Sequence, residues 1–85
     1  MRDIKELIGS IMRVLDHAEI TESEVADLVF DADGELLDAL NEAYVRLLEF
    51  MHDGALRERD SVLDERERAL LRDALDKIVK LSDAA

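Results

Sequence analysis

Glu35-Leu-Leu-Asp-Ala-Leu-Asn-Glu-Ala-Tyr-Val-Arg-Leu-Leu-Glu-Phe-Met-His52 is the stretch whose reading decides the fold. At about 100° per residue, Leu36, Leu37, Ala39, Leu40, Ala43, Tyr44, Leu47, Leu48, Phe50 and Met51 fall within roughly half of a helix circumference. A surface helix needs an apolar stripe only a little over ~100° wide. The excess predicts a central helix over 35–52 that touches at least two other elements.

Working outward towards the N-terminus, Asp31-Ala-Asp33-Gly34 reads as a break before this helix. Gly34 suits a left-handed position and Asp33 a capping one. Ahead of the break, Ile20-Thr-Glu-Ser-Glu-Val25 carries a capping box, Thr21 with Glu24, and an Ile20–Val25 hydrophobic staple. A short helix over about 22–31 is expected from it, with Val25, Leu28, Val29 and Phe30 inward. The first helix is expected over about 4–18, opened by an Asp3–Glu6 box. Ile4, Leu7, Ile8, Ile11, Met12, Val14, Leu15 and Ala18 share its inner face, and Gly9 lies on the edge of the polar side.

Towards the C-terminus, Asp53-Gly54 is a stop signal. Ala55 to Leu63 is expected to connect, anchored inward by Leu56 and Leu63. Asp64-Glu-Arg-Glu67 reads as a third capping box opening a helix over about 65–81, with Leu70, Leu71, Ala74, Leu75, Ile78, Val79 and Leu81 on its apolar face. Asp73–Lys77 and Asp76–Lys80 are acid-first i,i+4 pairs along it. The expected architecture is a single all-α domain over 1–85: a small bundle of three longer helices plus one short one, with sequential helices as neighbours.

A chain of 85 residues buries about 60–65% of its unfolded surface, close to the lower limit for a self-sufficient core. There is no cysteine and no proline, which removes disulfides and cysteine-based metal sites. With 48% apolar and 39% charged residues the chain is too hydrophobic for intrinsic disorder. The apolar runs are too short to span a membrane, and Met1-Arg-Asp-Ile-Lys-Glu6 has no signal-peptide core. A cytoplasmic protein is the default expectation. The charge is uneven: residues 14–45 hold ten acids and no Lys or Arg, and so carry −10 of the net −11.

Several motifs invite a chemistry, and their spacing argues against it. If Gly34 were the sixth position of a calcium-binding EF-hand loop, the first and twelfth ligands would be Val29 and Leu40, which cannot bind a cation. Glu49-x-x-His52 has the spacing of a di-iron carboxylate helix, but it projects away from the leucines and lacks a second such motif. A carboxylate-rich metal-binding bundle is therefore only a remote alternative. Glu24-x-x-Asp27 resembles the second acidic pair of helical nucleotide pyrophosphohydrolases of the MazG type. The resemblance covers fewer than ten residues, and the preceding helix lacks the Glu-x-x-Glu partner that the family uses to hold magnesium. Ser10, Ser23, Ser61 and Ser82 have neither a neighbouring histidine nor a glycine-rich elbow, and the three glycines are isolated. Arg57, Arg59, Arg66, Arg68 and Arg72 alternate with Glu58, Asp60, Asp64, Glu65 and Glu67, leaving no excess positive field for nucleic acid.

No catalytic, cofactor or metal residue is assigned on these grounds, and the chain is expected not to be an enzyme. What remains is the acidic block: Glu22, Glu24, Asp27, Asp31, Asp33, Glu35, Asp38 and Glu42. These residues are the candidate partner-binding surface, and the function expected from them is presentation of an acidic face to a basic protein partner, as an inhibitor, antitoxin or immunity-type regulator. The alternative is a self-associating structural subunit, a homodimeric bundle burying Phe30, Val45, Leu56 and Val79.

Overall fold

The computed structural model describes residues 2–26 and 28–84, with those at 2, 83 and 84 described for backbone alone. Five helices follow one another: α1 (Arg2–Leu15), α2 (Glu22–Val25), α3 (Gly34–His52), α4 (Gly54–Arg59) and α5 (Ser61–Ala84). No strand occurs among the described residues. At about 1.5 Å per residue, the 24 residues of α5 account for most of the longest dimension of a 40 × 23 × 18 Å molecule.

The central rod is buried as its pattern requires. Ala39, Leu40, Ala43, Leu47 and Phe50 of α3 are buried, and Leu36, Tyr44, Leu48 and Met51 are half-buried against the same core. It packs most extensively along α5, which contributes Leu71, Ala74 and Ile78, and also against α1, which contributes Ile4, Leu7, Ile11 and Val14. Val25 of α2 is completely buried. Met12 and Val79, expected inside, are respectively 57% and 42% exposed. Each lies at the margin of its helix's apolar arc, where a small bundle has no further neighbour to cover it. Lys77 turns across to α3, 3.8 Å from Glu42, rather than along its own helix to Asp73.

The helix ends differ from expectation in instructive ways. α1 stops at Leu15, short of the expected 18. The Ala18 N–H donates to the Arg13 carbonyl (2.9 Å) and the His17 N–H to the Val14 carbonyl (3.1 Å), with His17 at φ 64°. These bonds form a complete Schellman ending in which a histidine occupies the left-handed position that glycine usually fills. Asp3 does not cap α1 from outside. It lies within the helix, and its Oδ2 accepts the Val29 N–H at 2.9 Å.

The short helix is much shorter than 22–31. Its start is as read, with Glu24 Oε2 accepting the Thr21 N–H at 3.0 Å, but it ends at Val25. Residues 28–33 run as a non-helical strap that follows a two-residue alternation. Leu28, Phe30 and Ala32 are half-buried; Val29, Asp31 and Asp33 point outward, Val29 being 73% exposed rather than inward. Phe30 and Tyr44 meet at a steep angle of 75°, with ring centroids 6.1 Å apart, and the Asp3 bond pins the strap to α1. Aromatic burial and a side-chain acceptor together outweigh the weak helix propensity of this β-branched and Asp-containing segment. Gly34 at φ 60° turns the strap into α3. Asp33 takes the N-cap position there without bonding the helix end through its side chain.

The third expected capping box is not one. α5 begins at Ser61, and Asp60 Oδ1 accepts the N–H groups of Val62 and Leu63, both at 3.1 Å. Asp64 and Glu67 are thereby placed inside the helix. The 55–63 connection contains α4, whose Leu56 is 55% exposed instead of inward, while Leu63 is half-buried.

Candidate functional site

Seven of the eight predicted acidic residues lie among the described residues, and all seven are exposed; Asp27 lies outside them. The fold divides them into two groups. Glu22 Oε1 is 3.0 Å from His52 Nε2, Glu24 is engaged by the Thr21 N–H, and Glu42 lies within 4.0 Å of both Arg46 and Lys77. Asp31, Asp33, Glu35 and Asp38 enter no ion pair among the described residues. They follow the strap into the first turns of α3, so the unpaired carboxylates of this set gather at one end of the central helix. The positive end of the α3 dipole faces Asp33 and Glu35 and relieves part of their mutual repulsion.

Glu49 and His52 do not converge on a metal. Glu49 lies 3.9 Å from Arg46, and His52 reaches Glu22 on α2. No group of three or more His, Cys, Asp or Glu among the described residues has the arrangement of a cation site. Ser10 is buried and accepts a bond from Arg13 Nη2 at 3.3 Å. No helix among the described residues is long and apolar enough to cross a membrane.

At the other end of α3, about 22 Å along the rod from Glu35 to Phe50 at ~1.5 Å per residue, the structure builds a charged cluster that sequence reasoning did not single out. Arg57 sits with its guanidinium carbon 3.4 Å from the Phe50 ring centroid, and that of Arg68 is 5.2 Å away. Arg57 donates through Nε to the Phe50 carbonyl (3.0 Å) and through Nη1 to Asp64 Oδ1 (2.9 Å). Arg68 donates through Nε to Asp64 Oδ2 (2.9 Å) and through Nη1 to the Val14 carbonyl on α1 (2.8 Å). Asp64 thus clamps two arginines that tie α5 to α4, α3 and α1. Burial pushes its carboxyl upward, but the hydrogen bonds and charges of Arg68 and Arg57 reverse this and hold it below the ordinary value.

Glu67, one turn along α5, has the opposite fate. Burial, the Asp53 carboxyl against it and the charge of Glu49 push it up to about 7, with Arg57 pulling the other way. Its Oε2 is buried without a hydrogen bond. The nearby Arg57 Nε, 3.5 Å off, gives its proton to the Phe50 carbonyl instead. The only sequence signal for this cluster was the density of alternating Arg and Glu in 57–68, which reads equally well as a wet surface. Beside the cluster lies an open cleft of about 480 Å³, with His17, Ile20, Glu22, Phe50, Arg57 and Arg68 among its walls.

The six most exposed large apolar side chains are distributed rather than gathered by element: Met12 on α1, Val29 on the strap, Val45 on α3, Leu56 on α4, and Val62 and Val79 on α5. Phe30, expected at a dimer contact, is half-buried and packs on Tyr44 within the chain. Comparison with protein-family models, with curated proteins and with solved structures returns no match.

Proposed function

We propose that this chain is a non-enzymatic binding protein that presents its acidic end to a basic protein partner, in the manner of an inhibitor, antitoxin or immunity-type regulator. The observation that carries this reading is the run Asp31, Asp33, Glu35 and Asp38, exposed and without ion pairs among the described residues, the first two on a strap held by Asp3 and Phe30 and the last two in the first turns of α3. A self-repelling set of carboxylates on a tethered backbone attracts a positive surface at long range and sets its orientation on contact. The preference is electrostatic, so binding weakens as salt shortens the Debye length below ~8 Å.

The test is capture from the native cell with the wild-type chain and with the Asp31→Asn, Asp33→Asn, Glu35→Gln, Asp38→Asn variant, followed by affinity measurements across salt concentrations. A basic protein held by the wild type, lost by the variant and released by salt supports the proposal. Equal capture by both chains, or an affinity indifferent to salt, refutes it. The second reading, a homodimer, draws on the exposure of Val45, Leu56 and Val79. Isolated apolar side chains are ordinary on monomer surfaces, which leaves that reading weaker; sedimentation at micromolar concentration decides it.

A further inference from the structure

We infer that the cleft beside Arg57 and Arg68 binds a small zwitterion with an apolar body, of the chemical class of the apolar α-amino acids. At about 480 Å³ the cleft falls within the ~300–1,000 Å³ of small-molecule pockets. Its walls come from the loop after α1, the end of α3, the start of α4 and α5, so the site exists only in the folded chain.

The inner wall is cationic. The Arg57 and Arg68 side chains are only 14% and 18% exposed. Each uses Nε and Nη1 in hydrogen bonds, to the Phe50 or Val14 carbonyl and to one oxygen of Asp64. Nη2 of neither arginine donates a hydrogen bond among the described residues. The only buried side-chain atom without a partner there is Glu67 Oε2, so both Nη2 groups keep surface open to solvent. That of Arg57 stands at the cleft wall formed by Gly54, where a Cβ would lie 3.8 Å from it. Two guanidiniums fixed in place with unused donors suit a carboxylate, which accepts through both oxygens. Asp64 positions the pair and cancels one of its two charges. Glu67, pushed up to about 7 by burial and by Asp53, does not cancel the second below that pH.

The outer wall is anionic. Glu19, Glu22 and Glu58 are exposed at the rim; Glu22 reaches His52, while Glu19 and Glu58 have no ion pair among the described residues. Half-buried Ile20 and Met51 line the cleft as well. This order of groups selects the ligand. A bare carboxylate or phosphate is repelled by the rim and by the net charge of −11. A simple cation is drawn to the rim but leaves the arginines without an acceptor. A zwitterion meets no long-range repulsion and pairs with both walls, its apolar body releasing water from Ile20 and Met51. The cleft lies at the opposite end of α3 from Asp31, Asp33, Glu35 and Asp38, and the inference does not depend on the partner proposed for them.

Three ligands added to the intact chain at pH 6 separate these contributions. They are leucine, 4-methylpentanoate, which is leucine without its ammonium group, and leucinamide, in which an uncharged amide replaces the carboxylate. Binding is read by NMR from the Arg57 and Arg68 Nε–H signals and the Met51 methyl signal. Leucine is expected to saturate these shifts with a Kd on the order of 1 mM, and each analogue to bind about tenfold more weakly or worse. The double variant Glu19→Gln, Glu58→Gln changes only exposed side chains; it should weaken leucine and bring 4-methylpentanoate level with it. Arg68→Gln should abolish the leucine response in a chain whose helical circular dichroism is retained. If Arg68→Gln does not fold, the rim variant and the three-ligand comparison decide. No saturable response to leucine up to ~50 mM, shifts confined to residues away from the cleft, or equal affinity of the wild type for leucine and either analogue overturns the inference.

Discussion

Replacing Arg57 with alanine should destabilise this protein more than any other single change at a charged position. The side chain is only 14% exposed and makes three kinds of contact that nothing else can take over. Its guanidinium on Phe50, at 3.4 Å from the ring centroid, contributes about 0.5–2 kcal/mol as a cation–π pair. The Phe50 carbonyl loses its Nε donor, which removes a charge-assisted bond worth about 1.5–3 kcal/mol. Truncating one partner of a buried ion pair costs ~3–5 kcal/mol, but Asp64 is 26% exposed and keeps Arg68, so a small fraction of that applies. These contributions overlap, and a total of about 3 kcal/mol is expected, near the lower bound of their sum.

For a domain of 60–100 residues that corresponds to a fall in Tm of ~12–24 °C. Urea unfolding followed by circular dichroism measures it directly. Arg57→Lys should recover only part of the loss, because an ammonium keeps the charge and lacks the planar face and the paired donors. A double-mutant cycle with Phe50→Leu isolates the ring contact, and a coupling of about 1 kcal/mol is expected. A loss below ~1 kcal/mol for Arg57→Ala, the value of an ordinary exposed ion pair, would refute the claim that this cluster ties α4 to α3 and α5.

Two glycine exchanges test the backbone reading of α1. Gly9→Ala should stabilise the protein by up to ~1 kcal/mol, since a Cβ built there meets nothing within 4 Å; a decrease in Tm would mean that something does pack against this face. His17→Gly should also stabilise, by about 0.5–1 kcal/mol, the relief of a left-handed histidine less the extra freedom of the unfolded chain. His17 lines the cleft at φ 64°, so a fall in stability would show that its imidazole makes a contact outweighing the backbone strain.

The three long helices, the Thr21–Glu24 cap and the glycine at the entry to α3 were all legible in the residues, because each rests on spacing within one or two turns of chain. The exposure of the acidic block was legible for a similar reason: a segment without a single Lys or Arg has no nearby cation with which to fold its charge away. The strap over 28–33 carried a readable signal too, an in–out alternation of Leu28, Phe30 and Ala32 against Val29, Asp31 and Asp33. The apolar run Leu28, Val29 and Phe30 fits a helical turn as well, and the tether from Asp3, 26 positions away, distinguishes the two.

Asp64 and Glu67 show where local reading ends. Four charged residues before an apolar run satisfy the pattern of a capping box, and Asp60 satisfies the cap one turn earlier; the choice between them depends on where α4 stops. Phe50, Arg57, Asp53 and Glu67 become one cluster only when α3 and α5 lie side by side. Burial then gives two carboxyls of similar intrinsic acidity opposite behaviour, Asp64 below its ordinary value between two arginines and Glu67 above it beside Asp53. Periodicity specifies which face of each helix avoids water. It carries no information on which charges meet across helices, because that depends on packing distances of a few ångströms that no spacing along the chain encodes.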